Sequence, residues 1–219
     1  LRAKAGEDMQ LLLGWRRNLE DLLVHHGGLV LLQSTLFVIG VIFGALALRS
    51  LDTSTRLDLV RMLSDSVSVL RTGPEAADGV LFREAMIRQG KWLALFWVLA
   101  ISLVGALGVM LLTLIRGFMS GFAVAFLTAE FGGRGILLAA AGHLPQALLE
   151  VPALILGATA SVAFVAEVIR SWRARRRLAG FYEALAGYTG TLLSAGVLLV
   201  GACLVEGYVT PSLVRLVSS

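Results

Sequence analysis

The run WLALFWVLAISLVGALGVMLLTLI, Trp92 to Ile115, contains no charged residue. About 20 mainly apolar residues in a helix are enough to cross roughly 30 Å of hydrocarbon. Leu29 to Leu48 and Gly187 to Val205 have the same character. Over the whole chain 57% of residues are hydrophobic and 16% are charged, whereas soluble domains are roughly 45 to 50% apolar and about 25% charged. The sequence therefore predicts an all-α, polytopic membrane helix bundle.

A fourth apolar region, Gly117 to Ile169, is too long for one crossing at about 1.5 Å rise per residue. The glycines of FGGRG, Phe131 to Gly135, and the prolines Pro145 and Pro152 are the expected breaks. About five spans follow, with a re-entrant or interfacial segment between the third and fourth. The predicted spans are 29–48, 92–115, 117–131, 150–169 and 187–207, and the extra segment is 136–149.

The distribution of arginine predicts the orientation. Of the 19 basic residues, all but Lys4 and Lys91 are arginine, and most residues of RSWRARRR, Arg170 to Arg177, are arginine. Such clusters mark cytoplasmic loops and contact anionic lipid, so we expect membrane lipids, not nucleic acid, as the partner of this segment. Residues 170–186 are the predicted cytoplasmic loop. The amino terminus is then cytoplasmic, whereas the loop 49–91 and the carboxyl terminus are extracytoplasmic.

Two segments outside the spans have helical periodicity. Residues 1–28 are predicted to form an amphipathic helix on the cytoplasmic membrane surface. In the loop 49–91, Thr55 can cap a helix with one apolar face. This face suits either covering the membrane surface or binding another protein. It consists of Leu59, Met62, Leu63, Val67 and Leu70.

Small residues recur with three residues between them, at the spacing that lets membrane helices approach closely. The three pairs are Gly40 with Gly44, Gly117 with Gly121, and Gly190 with Ser194. Packing within the chain is the default interpretation, and a homodimer interface is the alternative.

Polar residues interrupt the apolar region in GHLPQALLEVPALILG, Gly142 to Gly157. His143, Gln146 and Glu150 would share one face of a helix. One interpretation is that they repair the backbone hydrogen bonds that Pro145 and Pro152 disrupt. The other is that His143 and Glu150 relay protons or bind a ligand, because ionisable groups at membrane depth mark functional sites. The structural interpretation is favoured.

Residue sets for known chemistries are missing from the sequence. No His, Cys, Asp and Glu cluster has metal-ligand spacing, and no phosphate-binding loop or Ser–His–Asp set can be assigned. Cys203, the one cysteine, lies within the last apolar run. We therefore predict no catalytic residue, no cofactor and no metal, and a protein that is not an enzyme.

Three motifs in order, LIRGFMSGFAVAFL, LPQALLEVPALILGATASVAF and VEGYVTPSLV, resemble the stage II sporulation protein M family. The segment FREAMIRQGKWLALFWVLAISLVG is also similar to that family. The most specific elements are Leu144 to Gln146 with Pro152, and Glu206 to Pro211. The likeness extends from about Leu29 to Leu213.

The resemblance implies a five-span scaffold of the engulfment complex in the cell membrane. By this resemblance, the partners are stage II sporulation proteins D and P, which remodel peptidoglycan and are recruited to the septal membrane as the forespore is engulfed. The outer loop and the element around Pro145 are the expected partner-binding regions. The alternative function is a permease-like or channel-like subunit of a transporter that works with a separate ATPase. An intramembrane enzyme using His143 and Glu150 is a third and weaker hypothesis.

Overall fold

The computed structural model describes residues 26–52, 54–62, 77–102, 105–173, 177–210 and 212. Within these ranges every element is a helix, and the predicted all-α fold is confirmed. The elements are α1 (His26–Ser50, with a 3-10 turn at Leu48–Ser50), α2 (54–62), α3 (Ala77–Ile101), α4 (Gly105–Arg173), α5 (Arg177–Leu204) and a π-helical turn (Val205–Val209).

Helix α4 reverses direction at Gly132. This residue has φ 56° and ψ −131°, a left-handed conformation that only glycine adopts without steric cost. Gly135 then lies so close to the carbonyl of Leu127 that a Cβ there would overlap it. The break divides α4 into two antiparallel arms, which we call the first arm (105–131) and the second arm (133–173). It falls within the FGGRG segment, where the sequence predicts a reversal.

The two prolines do not break the second arm, contrary to the sequence-based expectation. Pro145 and Pro152 lie inside the helix, and Gly132 is the residue of α4 with non-helical backbone angles. Neighbouring helices can compensate for the lost backbone hydrogen bonds of a membrane proline, and here Ala153 and Leu154 beside Pro152 are buried. The predicted re-entrant segment 136–149 is accordingly continuous with the predicted span 150–169.

The charge-free run from Trp92 to Ile115 is not one helix. Helix α3 ends at Ile101, and the Gly105 amide donates to the Ser102 carbonyl at 2.8 Å where α4 begins. A Cβ at Gly105 would overlap the carbonyl of Leu99. Gly105 therefore permits the chain to turn within an apolar run that has no charged residue to indicate a helix end.

Helix α1 crosses the first arm of α4 at four glycines. Gly40 and Gly44 face the backbone of the first arm near Phe118, and Gly117 and Gly121 face the backbone of α1. A Cβ at any of the four would overlap a carbonyl oxygen of the other helix. These two pairs therefore pack within the chain. At Gly190 a Cβ would meet no atom within 4 Å, so a homodimer through the third pair stays a prediction.

The core lies between α3, the second arm of α4 and α5. The Tyr188 hydroxyl donates to the Phe96 carbonyl at 3.0 Å and lies 3.2 Å from the Ser161 hydroxyl. The Tyr188 ring stacks on Phe164, with centroids 5.0 Å apart. These contacts fix α5 antiparallel to both α3 and the second arm.

One end of the bundle contains α2 and the Gly132 reversal. The last residues of α1, the first residues of α3 and the π turn lie at the same end. We call this the loop end. At the opposite end, which we call the arginine end, α4 finishes at Arg173 and α5 begins at Arg177. The predicted loops 49–91 and 170–186 thus contain helical segments, including the first half of α3.

Three helices of the described part of the chain are long and apolar enough to cross a membrane: His26–Ser50, Gly105–Arg173 and Ala184–Val209. They fit a membrane protein. Helix α3 is not among the three, and its part up to Lys91 carries Arg83, Glu84, Arg88 and Lys91. The count of five spans and the orientation stay predictions. Residues 1–25 of the predicted amphipathic helix lie outside the described residues.

Candidate functional site

The side chain of Arg116 connects three helices inside the bundle. It belongs to the first arm of α4 and is 9% exposed. Its guanidinium donates to the carboxylate of Glu150 on the second arm, and to Gln89 Oε1 on α3 at 3.2 Å. The same guanidinium lies 5.2 Å from the centroid of the Trp92 ring. A buried arginine is costly without such partners, so this set of contacts allows Arg116 to remain charged between the helices.

A second ion pair involves the residue before Gln89. Arg88 donates to the carboxylate of Glu206, which lies in the π turn after α5. The rings of Phe82 and Tyr208 are 6.1 Å apart beside this pair. Because π-helical turns are rare and often occur at functional positions, the turn that holds Glu206 against α3 belongs to the candidate site.

The two ion pairs are coupled through α3. Arg88 and Gln89 are consecutive, and the charges of Arg88 and Glu206 lie close enough to act on Arg116. We call Arg88, Gln89, Arg116, Glu150 and Glu206 the charge network. Each of its four charged groups has an opposite partner. The network is therefore suited to holding α3, both arms of α4 and the end of α5 in one register.

Three polar atoms around this network have no hydrogen-bond partner among the described residues. Gln89 Nε2 and Arg116 Nε are donors, and Gln146 Oε1 is an acceptor. All three side chains are buried. Buried polar atoms nearly always find a protein or water partner, so these positions mark a polar interior that can accommodate water.

A third ion pair lies at the loop end. Arg56 on α2 donates to the carboxylate of Glu130, two residues before the Gly132 reversal. The Arg56 side chain is 42% exposed and that of Glu130 is 20% exposed. This contact fixes the short helix α2 onto the tip formed by the two arms of α4.

A cavity of about 500 Å³ opens beside the charge network along one face of α3. Its lining residues are Glu84, Ile87, Arg88, Lys91, Trp92 and Leu95. Arg88 and Trp92 border both the cavity and the network.

The structure brings together part of the predicted polar element. Gln146 and Glu150 are buried, and Gln146 Nε2 lies 3.4 Å from His143 Nδ1. Pro145 and Pro152 are within the same helix. Glu206 joins the network, although it lies far away in sequence. Among the residues predicted for the loop helix, Leu59 and Met62 lie in α2, whereas Leu63, Val67 and Leu70 are outside the described residues, as is Pro211.

The structure gives Glu150 an ion-pair partner, and its predicted backbone-repair role stays a prediction. Its carboxylate accepts from Arg116 on the other arm, and the backbone angles at Pro145 and Pro152 remain helical. Within the polar element, Glu150 therefore connects the two arms. The interaction of the polar element with a partner protein stays a prediction.

The sequence-based prediction missed Arg88, Gln89 and Arg116. The sequence does distinguish Arg116, because it is the one charged residue between the apolar run that ends at Ile115 and the apolar segment that follows. An isolated cation and an isolated acid in neighbouring membrane segments predict an ion pair. Arg88 and Gln89 gave no comparable signal, because they precede the apolar run and resemble loop residues.

In the described part of the chain, the helices and the charge network define a helical membrane protein whose bundle is connected internally by the buried Arg116–Glu150 pair and the partly exposed Arg88–Glu206 pair. Comparison with protein families gives a match to stage II sporulation protein M over residues 33–211. The chain belongs to this family, which confirms the resemblance of the motifs. The matched range includes every residue of the charge network. No curated protein and no solved structure matches the chain.

Proposed function

We propose that this chain is a non-enzymatic membrane scaffold that positions peptidoglycan-remodelling enzymes at the septal membrane during forespore engulfment. Membership of the stage II sporulation protein M family supports a sporulation-related membrane protein. The observation that carries the finer proposal is the Arg56–Glu130 ion pair, because it gives the loop end an ordered surface built from α2 and the tip of α4.

The surface at the loop end has exposed apolar side chains beside that ion pair. Leu57 lies on α2, whereas Phe131, Ile136 and Leu137 lie on either side of the Gly132 reversal, and all four are exposed. Mixed apolar and charged surfaces suit protein interfaces. Stage II sporulation proteins D and P are the proposed partners, and the loop end is proposed to be extracytoplasmic.

The charge network supports this role by holding the bundle in one arrangement. Binding costs less free energy when the interface is already ordered. In this proposal the ion pairs of Arg116 and Arg88 fix the helices, and the Arg56–Glu130 pair presents the docking surface on top of them.

The test is co-purification of proteins D and P with the full chain from sporulating cells. We expect Arg56→Glu to reduce recovery of both partners, and Arg56→Glu combined with Glu130→Arg to restore it. Arg170→Glu, which alters an exposed ion pair at the arginine end, is the matched control. Unchanged recovery with Arg56→Glu, at normal chain abundance, would contradict the placement of the interface.

A permease-like or channel-like subunit remains the second candidate. It is favoured by the unpartnered atoms of Gln89, Arg116 and Gln146 inside the bundle, because transport paths require polar interiors. The discontinuous helices used by many transporters do not support it here, because the second arm is continuous through both prolines. Recovery of an ATPase in place of the two remodelling enzymes would favour this candidate.

A further inference from the structure

We propose that the cavity on α3 binds a phospholipid whose headgroup ends in an ammonium group, as in phosphatidylethanolamine. Apart from Ile87, the side chains that line the cavity change from charged to apolar along the helix. Glu84 lies nearest the loop end, Arg88 and Lys91 follow, and Trp92 and Leu95 lie nearest the arginine end. This inference does not depend on the proposed scaffold function.

The order of these side chains is complementary to such a lipid lying along the helix. Positions 84 to 88 are separated by about one helical turn, or roughly 5 to 6 Å, which is similar to the spacing of the two charges in the headgroup. The phosphate would lie at Arg88 and Lys91, and the ammonium one turn further on at Glu84. The upper part of an acyl chain would contact Trp92 and Leu95.

The charged side chains that this proposal uses are accessible to a lipid headgroup. Glu84 and Lys91 are exposed and have no ion-pair partner among the described residues. Arg88 contacts Glu206 with one nitrogen, but its side chain is 47% exposed and borders the cavity. A phosphate can therefore contact Arg88 without breaking its ion pair.

The position of the cavity on α3 matches the boundary between headgroups and hydrocarbon. The charges of α3 all lie at or before Lys91, and the rest of the helix is uncharged. Tryptophan is enriched at this boundary, and lysine can extend its ammonium group towards the headgroups. Trp92 is held in place by Arg116, so the apolar wall of the cavity is ordered before a lipid binds.

The test uses the full chain, purified and delipidated in detergent micelles. Bound lipid is counted by native mass spectrometry during titration with dioleoyl phosphatidylethanolamine or dioleoyl phosphatidylglycerol. We expect tighter binding of phosphatidylethanolamine by about fivefold, as is typical for one additional charge contact at a membrane surface. Equal affinity for the two lipids in the unmodified chain would overturn the proposal.

Three variants separate the contributions of headgroup, phosphate and cavity. Glu84→Gln should abolish the preference but keep phosphatidylglycerol binding. Lys91→Gln should weaken both lipids by about fivefold, and Leu95→Trp should weaken both by filling the cavity. Glu167→Gln, an exposed acid at the arginine end, is the matched control. Retention of the preference in Glu84→Gln would assign the selectivity to another site and so contradict the proposal.

Discussion

Arg116 and Glu150 form a buried ion pair between the two arms of α4, although 34 positions separate them in the chain. Gly132 interrupts the long apolar helix α4, and the contact between Arg116 and Glu150 holds its two arms together as a hairpin. It also explains why each arm tolerates a charge in its interior. Removing one partner leaves the other charge without compensation, whereas removing both leaves an apolar contact.

The first prediction concerns this ion pair. We expect Glu150→Ala to lower the free energy of unfolding by about 3 to 5 kcal/mol, because Arg116 then remains buried without a counter-charge. The combination Arg116→Met with Glu150→Leu should recover most of that loss. Thermal unfolding in detergent micelles measures both, with Glu167→Gln as an exposed control. A double variant as unstable as Glu150→Ala would show that the bundle requires charge at this position.

The second prediction concerns the crossing of α1 and α4. Gly44→Ala should destabilise the protein by about 1 to 3 kcal/mol, because its Cβ would overlap the Phe118 carbonyl. Gly190→Ala is the matched control, since its Cβ meets no atom within 4 Å and alanine favours a helix by up to about 1 kcal/mol. The two substitutions should thus shift the melting temperature in opposite directions. A melting temperature of Gly44→Ala equal to or above that of the unmodified chain would exclude close packing at Gly44.

The third prediction concerns the reversal of α4. Gly132 has φ 56° and ψ −131°, a sparsely populated backbone region that costs a residue with a side chain roughly 1 to 3 kcal/mol. Gly132→Ala should lower stability by about this amount. Gly133→Ala should change it little, because it has an open environment and no positive φ. Denaturation of the two variants side by side tests the difference, and equal stabilities would mean that the reversal lies at another residue.

The fourth prediction concerns the contact between α3 and α5. Tyr188→Phe removes the hydroxyl that donates to the Phe96 carbonyl and should cost about 1 kcal/mol. Tyr182→Phe is the control, because Tyr182 is exposed on the same helix. Unfolding curves of the two variants should separate, and coincident curves would contradict a stabilising role for this hydrogen bond.

The helical class, the apolar runs and the reversal near Gly132 could be predicted because composition and glycine spacing report directly on them. The turn at Ser102–Gly105 could not, because it depends on the close approach of Gly105 to the Leu99 carbonyl inside an uninterrupted apolar run. The prediction that the two prolines break the helix was wrong for a related reason. Whether Pro145 and Pro152 break a helix depends on the helices around them.

Only part of the candidate site could be predicted from the sequence. Gln146 and Glu150 stood out because they are polar in apolar surroundings. Their partners became apparent only when α3 and the two arms of α4 were placed side by side. Glu206 was singled out through its motif, but its pairing with Arg88 requires the π turn, which periodicity does not reveal.

The glycine crossing of α1 with α4 also determines when the first helix can reach its final environment during synthesis. Gly40 and Gly44 leave the ribosome well before Gly117 and Gly121, with α2 and α3 between them. Until then the groove around the glycines of α1 lacks the helix that covers it in the folded bundle. The docking of α1 therefore has to follow the synthesis of the first arm.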